Sequence, residues 1–347
     1  MKFEGRVGDK GYLPKQIHPF DSLTTPRIGT DKRLLTHSPG TNLTLCRNIE
    51  VAGESFDIAS DWHLPSDERL IDTFVRSIDH LRSADIFICA GDVFDARNGE
   101  DRSLPVSLLM NRLAEKYEAV LYVPGNHCLR SRANPWESFS FVDNVYMPLA
   151  EDPVLFQTEK NILLLGNIFY DFKFLDPSIF NFSDKDLRAF YPLTSDGQYL
   201  LEGDVRQFIA MSDAFAECLT PDVTVMVSHV LPHVAPTYVK IDVDDGLLRR
   251  RARELGLMIC EDDRRLAEAA DYWQCTEEQA RIYWNKKCFL MGSNILDHPQ
   301  ANPRDGLTAL HGHNHRQADR EIRARNGARV KLLSHQPCGG NPELWLT

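Results

Sequence analysis

From Phe56 onward, short apolar runs alternate with segments in which apolar residues return every three or four positions. Phe56-Asp57-Ile58-Ala59 reads as a strand leading into Ser60-Asp61-Trp62-His63. Leu70, Ile71, Phe74, Val75, Ile78 and Leu81 then share one helical face, with Asp67 and Glu68 in the first turn, where the helix dipole favours negative charge. Ile86 to Ala90 predicts a second strand ending in Gly91-Asp92, and Leu108, Leu109, Leu113 and Tyr117 mark a second helix. Ala119 to Val123 predicts a third strand, ending in Pro124-Gly125-Asn126-His127. Further strands are expected at Ile162–Leu165, at Val223–Val227 before Ser228-His229, and at Leu307–Leu310 before His311-Gly312-His313-Asn314-His315. The stretch from Glu321 to Leu333 alternates about Asn326-Gly327, a hairpin signal. Strands that alternate with helices and are apolar throughout predict a layered α/β sheet buried on both faces.

Two stretches depart from this rhythm. Residues 1–52 are rich in Pro, Gly, Thr and charge, and are expected to form an extended arm preceding a domain over 53–347. Residues 232–288 interrupt the domain and read as a helical insertion, in which Thr276 and Gln279 fit a capping box. Its segment Asp242-Val243-Asp244-Asp245-Gly246 is no calcium loop: the acidic spacing is wrong, and Arg253 stands where a bidentate Glu is needed. A solvated acidic turn is the simpler reading.

Composition narrows the class. The chain has 347 residues, of which 43% are hydrophobic and 26% charged, as expected for a globular protein with a sizeable core. Lys2, Glu4, Arg6, Asp9, Lys10 and Lys15 leave no apolar core for an export signal, and no run is long enough to cross a bilayer. A cytoplasmic location is the expectation. The eight cysteines are scattered without a Cys-x-x-Cys pair, and so read as reduced thiols. A net charge of −11 opposes long-range attraction of polyanions. It leaves phosphate substrates open, because bound cations invert the field locally.

The polar residues at the strand ends carry the chemistry. Asp61 and His63 are two apart, which puts them on one side if strand geometry persists. Gly91-Asp92-Val93-Phe94-Asp95 turns sharply after a buried strand and places Asp92 at its tip, where one carboxylate can bridge two metals. An Asx turn closing the strand is the plain reading of either aspartate alone. Gly125-Asn126-His127 offers a neutral oxygen and an imidazole, and His127 read alone fits a ligand, an acid or a structural histidine. His229 follows an apolar strand, and His313 and His315 again stand two apart, while His311 precedes the glycine and reads as part of the strand.

Together Asp61-x-His63, Gly91-Asp92-x-x-Asp95, Gly125-Asn126-His127, His229 and Gly312-His313-x-His315 resemble the calcineurin-like metallophosphoesterase superfamily. The five motifs stand in order across residues 56–315. The resemblance implies an α/β, four-layer fold of two facing mixed sheets flanked by helices, with a dinuclear metal site at the strand ends. It implies that Asp61, His63, Asp92 and His315 hold one divalent ion, and that Asp92, Asn126, His229 and His313 hold the other. Asp92 then bridges, His127 is the catalytic imidazole, and Asp95 orients it. Cys128 departs from the pattern, since many relatives carry an acidic residue there; a packing role is the simpler reading of this thiol.

The implied activity is metal-dependent phosphoester hydrolysis, as a phosphatase or phosphodiesterase. Two cations roughly 3.5–4 Å apart acidify a bridging water, whose hydroxide attacks phosphorus while His127 protonates the leaving oxygen. Arg130 and Arg132 follow closely; gripping a substrate phosphate and lining a solvated loop are equal readings of them. The ligand set suits manganese, iron, zinc or nickel without choosing among them. A small-molecule phosphoester is the expected substrate. A nuclease of the same superfamily and a non-catalytic binding scaffold are the alternatives, the latter opposed by the complete ligand set. The 232–288 insertion, lying between two ligand motifs, is expected to wall the cleft.

Overall fold

Apolar strands without polar alternation must be covered on both faces, and two facing sheets with outer helices satisfy that need. The computed structural model describes residues 5–6, 45–64, 68–94, 102–129, 135–170, 185, 196, 205–233, 238–240, 258–260, 276, 292–313 and 319–335. Along the chain come β1 (Gly5–Arg6), β2 (Arg47–Val51), β3 (Glu54–Ala59), α1 (Glu68–Leu81) and β4 (Ile86–Cys89). Then follow α2 (Ser103–Ala114), β5 (Ala119–Tyr122), α3 (Pro135–Ser138), β6 (Val145–Tyr146), β7 (Val154–Gln157) and β8 (Ile162–Leu165). The remainder is α4 (Val205–Cys218), β9 (Val225–Val227), β10 (Tyr238–Lys240), β11 (Met258–Cys260), β12 (Leu307–His311), β13 (Arg320–Arg323) and β14 (Arg329–Ser334).

One sheet has the order β2-β3-β4-β5-β6, parallel from β3 to β6, with β2 antiparallel at its edge. The other has the order β1-β7-β8-β9-β12-β14-β13, with β8, β9, β12 and β14 parallel at its centre. Both are therefore mixed. Residues 47–51 of the stretch expected as an arm thus form a sheet edge paired with β3.

The period-two geometry of a strand sorts its side chains between two cores. Ile58, Ile88 and Leu121 from one sheet meet Leu163, Leu165, Val225, Val227, Leu310 and Leu333 from the other. The alternate set, including Phe87, Val120 and Tyr122, joins Phe74, Ile78, Leu109 and Leu113 of the helices. Leu164, Met226, Ala309 and Leu332 belong to the same cluster as Phe208, Met211 and Phe215 of α4. Fully burying one such side chain contributes about 1.5–3 kcal/mol. The layers are helix, sheet, sheet, helix, as expected.

The expected strands and the two expected helices stand within about five residues of their predicted limits, α4 was not foreseen, and the Asn326-Gly327 hairpin joins β13 to β14 with Gly327 at φ 87°. The 232–288 segment departs from its helical reading where it is described: β10 and β11 are strands, paired parallel to each other. Strands of three residues are too short for any periodicity to reveal. The capping-box pair and the acidic turn at 242–246 lie outside the described residues, Thr276 excepted. The segment leaves and returns through one neck, where Leu231 bridges to Gly292 and Ser293 N–H donates to the Leu231 carbonyl at 3.2 Å. No described helix is long and apolar enough to cross a membrane.

Candidate metal centre

The parallel pairing of β3 with β4 runs on past both strands into their loops. Ala90 N–H donates to the Ala59 carbonyl at 2.7 Å, Asp61 N–H to Gly91 at 2.9 Å, and His63 N–H to Asp92 at 3.0 Å. These bonds hold the Asp61–His63 turn flat against the Gly91–Asp92 turn. A Cβ on Gly91, whose φ is 85°, would lie 2.6 Å from the Gly125 nitrogen and 2.7 Å from His229 Nδ1. Only glycine lets the three loops close up there.

Side chains then tie the loop ends together. Asp92 Oδ1 accepts the His127 N–H at 2.8 Å, and Asp61 Oδ1 accepts the His313 N–H at 2.8 Å. Gly312 N–H donates to the His229 carbonyl at 2.8 Å. The backbone is strained where the donors sit. Of six described non-glycine residues with positive φ, four are Asp61 (53°), His63 (47°), Asp92 (51°) and His313 (69°). Such residues cluster at functional sites, where the surrounding structure imposes them.

Among the described residues two groups of potential ligand atoms form, each with its members within 4.8 Å: His63, Asp92 and His127 in one, and Asp92, His229 and His313 in the other. Asp92 is common to both. Its Oδ2 lies 3.1 Å from His229 Nε2 and 3.9 Å from His63 Nε2. Asn126 Oδ1 stands 3.0 Å from His229 Nε2 and 3.1 Å from His313 Nδ1. Asp61 is fully buried and joined to this rim through His313, although it belongs to neither group. The His127 ring packs edge-on against His63, with centroids 4.7 Å apart. His315, Asp95, Arg130 and Arg132 lie outside the described residues.

The atoms that converge here suit a cation. His229 Nδ1 lies 2.7 Å from the Ala90 carbonyl and must donate to it, so Nε2 is the ring's free valence. That nitrogen faces an amide oxygen, a carboxylate oxygen and, at 3.3 Å, His313 Nδ1. Lone pairs so crowded require protons or a positive ion among them. Carboxylate, amide oxygen and imidazole nitrogen together match a borderline divalent metal.

Electrostatics point the same way. Burial would push the Asp92 carboxyl up, but His229, His127 and His63 outweigh it and hold it well below the usual carboxylate range. Burial pulls the His229 imidazole down, while Asp92 more than reverses this and raises it to about 9. Burial drives His311 down to about 4, keeping this strand-end imidazole neutral. Cys128 is buried, and that burial pushes its thiol up to about 11, which makes it a packing residue and a poor nucleophile.

Two polar residues that sequence patterns did not single out complete the centre. The Asn126 amide nitrogen donates to both oxygens of Asp196, at 3.2 and 3.1 Å, and Tyr170 Oη donates to Asp196 Oδ2 at 2.9 Å. Thr194-Ser195-Asp196-Gly197 resembles any turn, so nothing in the sequence distinguished it.

Residues 55–255, more than half of the chain, match the family model described as calcineurin-like phosphoesterase. No curated protein matches the chain by sequence. Among solved structures, a phosphopantetheinyl hydrolase from Mycobacterium tuberculosis is similar over 86% of this chain and 93% of its own, at 16% identity and a TM-score of 0.46. An NAD nucleotidase from Haemophilus influenzae is 12% identical, with a TM-score of 0.33, covering 88% of this chain and 43% of the other. A 5′-nucleotidase precursor from Thermus thermophilus is 13% identical, with a TM-score of 0.28 and coverage of 85% and 46%. The chain spans less than half the length of the last two.

Proposed function

Because this chain belongs to the calcineurin-like phosphoesterase family, and is thus a hydrolase of phosphoester bonds, we propose that it cleaves small phosphate mono- or diesters at a dinuclear metal centre bridged by Asp92. The observation that carries this reading is the position of Asp92, whose Oδ2 faces His63 Nε2 at 3.9 Å on one side and His229 Nε2 at 3.1 Å on the other.

In this reading Asp61, His63, Asp92 and His315 hold one ion, and Asp92, Asn126, His229 and His313 hold the other. A pair of divalent ions supplies Lewis acidity that makes water nucleophilic and draws charge from the phosphoryl oxygens. The chain does the rest. The Asp92 carboxylate holds both halves of the site together, and the buried strand ends keep its donors at fixed spacing. His127 takes no part in ligation. Its main-chain N–H is pinned to Asp92, and its ring stands beside His63 at the rim, where it delivers a proton to the leaving oxygen. Asp95 orients that ring, and Arg130 and Arg132 contact the substrate phosphate. The net charge of −11 favours small esters over nucleic acid, which it repels at long range. Most of the 232–288 segment, expected to wall the cleft, lies outside the described residues.

The test is turnover of an alkyl phosphate and of p-nitrophenyl phosphate and its bis-ester by manganese-loaded protein. His127→Ala should lower kcat on the alkyl ester by on the order of 10²- to 10⁴-fold. The loss should be smaller on the nitrophenyl esters, whose leaving group departs without a proton, and metal content should not change. An unaltered kcat on the alkyl ester would remove His127 from the mechanism.

A further inference from the structure

Asn126 is a proposed ligand whose side chain can turn its wrong end to a metal. An amide presents an oxygen or an NH₂ depending on a rotation that ordinary packing barely distinguishes, because the two ends are nearly the same size. In this fold the ambiguity is resolved from outside. The Asp196 carboxylate can only accept, so it must face the amide nitrogen, at 3.1 and 3.2 Å from its two oxygens. Asn126 Oδ1 is thereby turned toward His229 Nε2 and His313 Nδ1.

Asp196 is in turn held in place. Tyr170 Oη donates to its Oδ2 at 2.9 Å, and the Tyr170 ring stands 5.9 Å from the His313 ring. Tyr170 is fully buried and Asp196 only 8% exposed, so the chain of contacts from hydroxyl to carboxylate to amide runs through the interior. A buried carboxylate is costly unless it is used. Here it polarises the amide, draws electron density toward Oδ1 and brings a negative charge to the margin of a site that gathers positive charge.

We propose that Asp196, set by Tyr170, is a positioning residue that makes Asn126 a competent ligand and so determines occupancy of one half of the metal centre. This inference rests on the dinuclear reading. It adds that the two halves depend on different parts of the chain: one half fails without Asp196 and the other does not. Groups that orient a ligand in this way typically change metal affinity by about 10- to 100-fold when removed.

Calorimetric titration of manganese into the full-length metal-free protein, with electron paramagnetic resonance of the loaded samples, tests it without reference to activity. Wild type should take up two ions and give the signal of a coupled pair. Asp196→Ala should keep one site at wild-type affinity, weaken the other by about 10- to 100-fold, and give the signal of an isolated ion. Tyr170→Phe, which removes one hydroxyl, should weaken the same site less, and it decides the question if Asp196→Ala does not fold. Two sites of unchanged affinity, or two sites weakened alike, would overturn the role of Asp196 while leaving the dinuclear centre standing. A wild-type protein that binds fewer than two ions would overturn the dinuclear reading and this inference with it.

Discussion

At the scale of single residues, Asp92 and His229 form a buried ion pair whose proton competes with a metal for the same nitrogen. His229 is raised to about 9 by Asp92, so near pH 7 it carries a proton on the nitrogen that a metal requires. Metal uptake must expel that proton. Calorimetry at pH 7 in buffers of differing ionisation enthalpy should show close to one proton released from His229. Affinity should rise with pH, levelling as the pH passes about 9. The sign for folding is the reverse. A histidine raised above its ordinary value stabilises the metal-free protein below about pH 6.5 and loses that contribution as pH climbs through 9. Binding heats that do not depend on the buffer would contradict the protonated state. Most of these residues were legible in the sequence because each stands at the tip of an apolar run, as Asp92 does after Ile86–Ala90. Asp196 was not: its partner Asn126 lies 70 residues away, and no periodicity spans such a distance.

At the scale of elements, the strand ends are fixed by what lies at their other ends. Asp57 is fully buried in β3 and accepts from Asn48 Nδ2, from the Ser83 hydroxyl and N–H, from Ala84 N–H and from Tyr117 Oη. Burial, reinforced by Asp57, raises the Tyr117 phenol and keeps it a donor. One carboxyl group therefore ties the sheet edge to the turn before β4 and to the end of α2. Asp57→Ala removes the acceptor of two buried donors, Ala84 N–H and Tyr117 Oη, each costing about 1–3 kcal/mol when left unsatisfied. It should destabilise the fold by at least about 2 kcal/mol, read as a lower midpoint in urea unfolding. A midpoint unchanged from wild type would show the network to be dispensable. The apolar run marked Phe56-Asp57-Ile58-Ala59 as a strand but held no reason for an aspartate inside it; that reason is tertiary. Central strands such as β5 and β8 were legible because four consecutive apolar residues have few other uses. The three-residue strands β10 and β11 were not, and helical spacing nearby misdirected the reading of their segment.

At the scale of the whole molecule, the two sheets bring together residues that start 252 positions apart, Asp61 and His313. Hydrophobic patterning predicted a layered α/β sheet, and two mixed sheets with helices outside were implied only by the resemblance the motifs carry, because an apolar strand does not disclose its neighbours. Strand order places β4 and β5 in one sheet and β9 and β12 in the other, and their four loops meet at one rim. A dinuclear centre requires that this rim hold two cations about Asp92. Anomalous diffraction from crystals grown with manganese tests this most directly. The expected result is two peaks flanking the Asp92 carboxylate, one beside His63 and the other beside Asn126, His229 and His313. A single peak, or manganese bound elsewhere with none at Asp92, would contradict it.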